Sequence, residues 1–267
     1  MLRLLHLADL HLGWFPSFLP DAQARGWQQE RDRRLEDAVA WALDPAHGVD
    51  LVVIAGDLFE SHAPDEALVA RVVSALRRLQ EAGTGVVTVP GNHDEITYPN
   101  SVYRAWADRW PGLLVQNANP EALGPVAARG KAVYVYSCAY TGGVTRAWPP
   151  VDAFPPRAAD SGYHIGVFHG TLMQDDAGAN PLAHDRSLPL AACALGQAGY
   201  DYVALGHIHR HEEQRAGSTL AVYCGAPDGK GFDDPGVGFY TMVEVERGRA
   251  AVERVGVLTR RIQTVDV

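Results

Sequence analysis

Residues 50–57 read DLVVIAGD, a short apolar run, β-branched at Val52, Val53 and Ile54, that ends in a glycine and an aspartate. Such a run predicts a strand, and the glycine permits the tight turn that aims the following carboxylate. Outward from it the same rhythm repeats. Leu68, Val72, Ala75, Leu76 and Leu79 fall on one face of a predicted helix over 65–81, and GVVTV predicts a strand over Gly85–Val89. On the other side, Leu35, Ala38, Val39 and Ala42 predict a helix over 28–43, and Leu2–Leu7 reads as a buried strand. This β-α-β-α-β order implies an α/β architecture with a largely parallel first sheet.

Further along, the pattern predicts a short helix over 101–109, a strand over 113–116 and a hairpin over 126–136 turning at Gly130. An irregular proline-rich stretch (148–156), a strand (163–168), a helix (188–198) and a strand (201–205) follow. The loop 174–185, with His184, reads as a solvent-exposed excursion. After His211 strand follows strand (219–224, 238–246, 250–257), which implies a second, more antiparallel sheet. No internal repeat, low-complexity tract or linker interrupts the chain, so residues 1–267 are expected to form a single domain.

The 267 residues are 47% hydrophobic, enough for one substantial core. A net charge of -9, from 23 basic and 32 acidic residues, argues mildly against a free-standing nucleic-acid binder. Cys138, Cys193 and Cys224 are dispersed, form no C-x-x-C pair and read as buried reduced thiols. The apolar N-terminus is too short for a signal peptide and is interrupted by His6 and Asp9. No stretch reaches the roughly 18 apolar residues of a transmembrane helix. A soluble, cytoplasmic protein without membrane association is the expectation.

Five segments share the design of DLVVIAGD, each an apolar strand ending in metal-competent residues. They are LLHLADLH (Asp9, His11), DLVVIAGD (Asp57), GVVTVPGNHD (Asn92, His93, Asp94), YHIGVFHG (His169) and DYVALGHIH (His207, His209). Ligands of α/β sheets bind beyond the carboxyl ends of strands, so these residues are expected to converge there. Asp9 and His11, two apart, would face one side of an extended backbone, and His207 and His209 share that spacing. Carboxylate and imidazole without thiolate suit Mn²⁺, Fe or Zn²⁺. Asp9, His11, Asp57, Asn92, His169, His207 and His209 are too many ligands for one ion. They suit two, about 3.5–4 Å apart and bridged by Asp57. Two such ions against two aspartates leave about +2, which attracts phosphate despite the acidic chain. They would also bring the pKa of water near neutrality. His93 is the candidate to protonate the leaving oxygen or stabilise the transition state, with Asp94 orienting it. A lone D-x-H arises by chance in loops; five such strings in order, each after a strand, do not.

Together, Asp9-x-His11, Gly56-Asp57, Gly91-Asn-His-Asp94, His169 and Gly206-His-x-His209 resemble the calcineurin-like metallophosphoesterase superfamily over residues 9–209. The resemblance implies two mixed β-sheets sandwiched between helices, with a dinuclear metal site at the carboxyl ends of the strands. Within the superfamily, LLHLADLHLG, IAGDLFE, VPGNHD, DYVALGHIH and YCGAPDGKGF resemble the SbcD-type DNA repair exonucleases. That branch implies one ion on Asp9, His11, Asp57 and His209 and another on Asp57, Asn92, His169 and His207, with His93 catalytic. It also implies DNA as substrate, an SbcC-like SMC-type ATPase as partner, and a homodimer formed through helices near the site, compatible with the apolar positions of 103–110. Two departures stand out. Glu60 follows G-D-L-F where the branch often has His or Asp, and with its last residue at Val267 the chain is expected to lack the capping domain of longer family nucleases.

Trp14, Phe15 and Phe18 are read as covering the core in preference to stacking on bases. Arg31, Arg33 and Arg34, among acidic neighbours, read as a solvated face, and His6 as buried structure. Three functions compete. The first is a Mn²⁺-dependent nuclease of the SbcD-like type acting in DNA repair or processing. The second, favoured by the acidic charge, is a phosphodiesterase or phosphatase on nucleotides or other small phosphoesters. The third, a non-catalytic DNA- or ATPase-binding subunit, is disfavoured because every ligand and His93 are present.

Overall fold

The computed structural model describes residues 1–142, 150–158, 161–174, 186–231, 234 and 238–257. The predicted excursion around His184 and the start of the proline-rich stretch lie outside the described residues. In one sheet, β1 (Leu2–Leu7), β2 (Leu51–Ala55), β3 (Gly85–Val89) and β4 (Leu113–Leu114) run parallel. β13 (Phe239–Glu246) and β14 (Arg249–Gly256) extend it antiparallel from β1, giving the order β14-β13-β1-β2-β3-β4. The second sheet contains β5 (Glu121–Ala128), β6 (Lys131–Ser137), β7 (Tyr163–His169), β10 (Tyr202–Gly206), β11 (Glu212–Ala216) and β12 (Thr219–Tyr223). Its order is β11-β12-β10-β7-β6-β5, parallel in the middle and antiparallel at both edges. A small parallel pair, β8 (Thr171–Met173) and β9 (Pro189–Ala191), stands apart.

Every residue of β2 and β3 is buried, as central parallel strands require when both faces are covered. On one side lie the apolar faces of α2 (Arg34–Leu43) and α3 (Glu66–Glu81). On the other lies the second sheet, whose Val133, Val135, Ile165, Val167, Tyr202 and Ala204 join the same core. The intervening residues Phe168, Val203 and Leu205 belong to a separate core with Leu195 and Ala198 of α5 (Ala192–Ala198). The two-residue alternation of β10 thus feeds two cores, one on each face. The layers are helix, sheet, sheet, helix, as expected.

Several elements differ from expectation. The helix over 28–43 is two, α1 (Asp21–Arg31) and α2. At the break Asp32 turns its carboxylate to accept Gly13 N at 2.6 Å. Arg31 and Arg34, expected in solvent, are buried there. Arg31 donates to Gly229 O (2.6 Å), and Arg34 Nε to Asp228 (2.5 Å). Helix 188–198 begins only at Ala192, because β9 first pairs with β8 and the residue before a proline avoids the helical region. The late strands do not form one antiparallel sheet. β11 and β12 join the second sheet, whereas β13, buried over most of its length, pairs with β1 in register Leu5 opposite Met242. The helix over 101–109 shrinks to one turn, α4 (Val102–Ala105), and a 3-10 turn. Tyr103 and Trp110, whose apolar character is compatible with a dimer surface, are buried within the chain's own core. Tyr103 OH donates to Asp94 and Trp110 Nε1 to Thr88. Cys138 and Cys224 are buried, but Cys193 is exposed. Among the described residues, no helix is long and apolar enough to cross a membrane.

Candidate metal centre

Beyond β1 and β2 the two strand-end loops run side by side. Asp9 N donates to Gly56 O (3.1 Å), His11 N to Asp57 O (3.0 Å), Leu12 N to Leu58 O (2.9 Å) and Glu60 N to Leu12 O (2.9 Å). This brings Asp9 and His11 beside Asp57. The backbone here is not extended, as the D-x-H spacing suggested. Asp9, His11, Asp57 and His207 have positive φ (54°, 47°, 50° and 97°), and among the described non-glycine residues only Arg129 shares that conformation. Such conformations are strained for side chains other than glycine and cluster at functional sites. The second sheet delivers its residues by close approach. A Cβ on Gly206 would lie 1.9 Å from Ala55 O, so only glycine lets the end of β10 reach the end of β2. His169, at the end of β7, bonds the same Ala55 O through Nδ1 (2.9 Å).

The seven residues form two overlapping nests. In one, His11 Nε2 and His209 Nε2 lie 3.1 Å apart, and Asp9 groups with both. In the other, Asn92 Oδ1 is 2.8 Å from His169 Nε2 and 3.1 Å from His207 Nδ1. Asp57 stands between them, with Oδ1 3.5 Å from His169 Nε2 and Oδ2 3.7 Å from His11 Nε2. Ligand atoms of Asp9, Asp57 and His169 also lie within 4.8 Å of one another. The donor set fits divalent cations on physical grounds. Asp9 and Asp57 are buried, and among the described residues neither pairs with a lysine or arginine, so countercharge is missing where burial makes it most needed. Burial, with Asp57 nearby, pushes Asp9 up to about 6. Burial also favours protonation of Asp57, but His169 and His93, with the His93 N–H donated to Oδ1 (2.9 Å), hold its pKa below the ordinary value. Burial drives His11 and His169 down, leaving neutral rings with a lone pair to offer. Oxygen and imidazole donors without thiolate suit Mn²⁺, Fe or Zn²⁺.

A family model described as calcineurin-like phosphoesterase matches residues 2–211. The chain belongs to this family. It is 28% identical to the uncharacterized metallophosphoesterase YhaO of Bacillus subtilis, over 94% of this chain and 59% of that protein. It is 27% identical to the DNA double-strand break repair protein Mre11 of Haloferax volcanii, over 100% of this chain and 55% of the other. With a subunit of the nuclease SbcCD from Escherichia coli K12 it shares 25% identity over 96% of this chain and 68% of that protein. The chain thus spans between about half and two thirds of the length of these curated relatives.

In this calcineurin-like phosphoesterase, His93 stands edge-on to His11, ring centroids 4.7 Å apart, with its side chain 32% exposed. Asp94 does not orient it. The Asp94 carboxylate accepts Phe59 N (3.0 Å), Gly91 N (2.7 Å) and Tyr103 OH (2.7 Å), bracing the two loops from behind. His93 Nδ1 instead lies 3.2 Å from the Glu60 carbonyl. Trp14 packs on Trp27 beneath the Arg31 guanidinium, whereas Phe15 and Phe18 are exposed. Four polar residues at the site were not singled out from the sequence. Asp234 Oδ1 lies 2.9 Å from His209 Nδ1 and raises that ring's pKa against the effect of burial. Lys230 Nζ donates to Glu60 (2.7 Å), Asp228 anchors Arg34, and Arg186 Nη2 donates to Asn92 O (2.5 Å). The string D228-G-K-G-F-D-D234 was the available signal, but nothing local ties it to histidines some 20 or more positions away.

Proposed function

We propose that the chain is a two-metal-dependent phosphodiester hydrolase that cleaves DNA, an exonuclease or endonuclease of the SbcD-like type acting in DNA repair or processing. The observation that carries this is Asp57, whose two carboxylate oxygens face different imidazole nests. Asp9, His11, Asp57 and His209 would hold one ion, and Asp57, Asn92, His169 and His207 the other, with Mn²⁺ the favoured metal. When bound, such ions supply Lewis-acid polarisation of the phosphate and a more acidic water. The chain's own residues do the rest. His93, half-exposed beside both nests, protonates the leaving oxygen or stabilises charge on it. Arg186, an exposed guanidinium at the rim, is placed to meet a phosphate oxygen. The similarity to a nuclease subunit and to a DNA double-strand break repair protein supports DNA as substrate and an SMC-type ATPase of the SbcC kind as partner.

A second reading, hydrolysis of nucleotides or other small phosphoesters, is favoured by one observation. The cleft of about 470 Å³ that opens beside Glu60 is lined by Asp32, Glu60 and Asp65, with Arg71 the sole cation among its lining residues. It has the size of a small-ligand site; none of the seven candidate ligands lines it, but its acidic wall repels a long polyanionic strand more than a single phosphoester. End-labelled single- and double-stranded DNA, incubated with Mn²⁺ or chelator beside an Asp57→Asn variant, separates the readings. Metal-dependent cleavage lost in the variant is expected. Hydrolysis of bis(p-nitrophenyl) phosphate without any cleavage of DNA would move the assignment to small phosphoesters, and inactivity on both would overturn the hydrolase.

A further inference from the structure

Glu60 touches more of the site than its sequence position announces. Its Oε2 lies 2.9 Å from His11 Nδ1 and 2.7 Å from Lys230 Nζ, and its Oε1 lies 3.7 Å from His93 Nδ1. The His11 ring is fully buried, and Nδ1 makes no hydrogen bond of good angle, so Glu60 is the acceptor within reach of it. Lys230 is itself held. Its N–H donates to Asp234 Oδ2 (2.8 Å), and Asp234 Oδ1 meets His209 Nδ1. The neighbouring Gly229 O accepts from buried Arg31, and Asp228 pairs with Arg34. Glu60 and Asp234 thus stand at the Nδ1 atoms of His11 and His209, on the side away from the Nε2 atoms that face each other.

We propose that Glu60, pinned by Lys230, is a positioning residue for the metal centre. It accepts the Nδ1 proton of His11, so that the Nε2 lone pair is free to face the ion. An imidazole that ligates through one nitrogen needs an acceptor for the proton on the other, and losing that acceptor costs roughly 10–100-fold in metal affinity. A glutamate with a 29% exposed side chain has many rotamers open to it, and the Lys230 ammonium selects the one that reaches His11. The arrangement answers the departure at Glu60, since the carboxylate serves His11 from behind, outside the ligand set. This inference rests on the two-ion reading above.

The test is calorimetric titration of Mn²⁺ into the full metal-stripped chain, its Glu60→Ala, Glu60→Gln and Lys230→Met variants, with melting of each metal-free protein and long-range ¹H–¹⁵N histidine spectra alongside. Two ions are expected on the wild type. Glu60→Ala should weaken one of them roughly 10–100-fold and leave the other. Glu60→Gln, whose amide oxygen still accepts from Nδ1, should weaken it less. Lys230→Met should fall between wild type and Glu60→Ala, and His11 should lose its fixed Nδ1–H form in Glu60→Ala while melting stays unchanged. Wild-type affinity for both ions in Glu60→Ala, or in both other variants should that one fail to fold, would overturn the positioning role. A wild type that takes up fewer than two ions would overturn the two-ion reading instead.

Discussion

Gly91→Ala is the smallest change that tests whether the loop after β3 is built around Asp57. Gly91 does not adopt positive φ, so alanine meets no backbone penalty there, and the effect is steric alone. The new Cβ would lie 2.2 Å from Asp57 Oδ1 and 2.4 Å from Asp57 N. Nonbonded heavy atoms rest about 3.5 Å apart, so one loop must yield by about 1 Å. The carboxylate oxygen can rotate away, but Asp57 N cannot, because the loop is zipped to the one carrying Asp9 and His11 by four backbone hydrogen bonds. Overpacking of this kind costs ~1–3 kcal/mol of stability. A 1 Å misplacement of a reacting constellation costs about 100-fold in rate. The assay is Mn²⁺ titration and turnover of bis(p-nitrophenyl) phosphate, with urea denaturation of the metal-free protein. Gly26→Ala, whose Cβ meets nothing within 4 Å, serves as control and should gain ~0.5–1 kcal/mol as a helical glycine replaced. A folded Gly91→Ala protein with wild-type ion affinity and turnover would refute the reasoning.

Three other outcomes are expected. Burial, reinforced by His211, pushes His6 down to about 3. On acidification from about 6.5 toward 3 the unfolded chain therefore takes a proton the folded one refuses, and stability falls by up to ~1.4 kcal/mol per pH unit. His6→Gln should show a shallower loss in urea denaturation between pH 7 and 5, and equal slopes would contradict the assignment. Asp228→Ala leaves the buried Arg34 guanidinium without its main partner, at a cost of ~3–5 kcal/mol by chemical denaturation; a change within error would mean that water reaches Arg34. Removing metal with a chelator should lower the melting temperature and Mn²⁺ should restore it, since an ion present at 100 times its Kd adds ~2.7 kcal/mol. A melting curve indifferent to Mn²⁺ would count against a built cation site.

What could be read from the chain follows the range of the interactions involved. The strand-end strings were legible because each carries strand, turn and donor within ten residues, as in DLVVIAGD. The layered α/β architecture was legible from the alternation of periods. The partner of a strand was not, because β13 meets β1 across more than 230 positions, and its apolar run would suit either sheet equally. Arg31 and Arg34 were read as solvated because their sequence neighbours are acidic, but their partners, Gly229 and Asp228, are 198 and 194 residues away. Asp94 looked like the natural orienter of His93 by adjacency, yet the turn directs its carboxylate backwards onto Phe59, Gly91 and Tyr103. Local chemistry thus pointed to the residues that the fold brings together, whereas the groups packed around them are set by tertiary contacts.

The centre also explains why two sheets are needed where one might seem to suffice. Each nest draws on both. His209 from the second sheet joins Asp9 and His11 from the first, and His169 and His207 from the second join Asn92 and Asp57 from the first. Neither sheet alone could complete either nest. The convergence depends on Gly206, where any side chain would strike Ala55 O. It also depends on four of the candidate ligands held at positive φ, each costing on the order of 1–3 kcal/mol unless the surroundings over-determine it. The zipped loops and the carboxylate of Asp94 supply that determination from the first sheet. From the second, His207 N donates to Asp9 (3.1 and 3.2 Å). If both sheets contribute ligands to the same cations, as proposed, metal binding and sheet packing are one equilibrium. An ion held there would then stabilise the interface between the layers, and a loosened interface would release it.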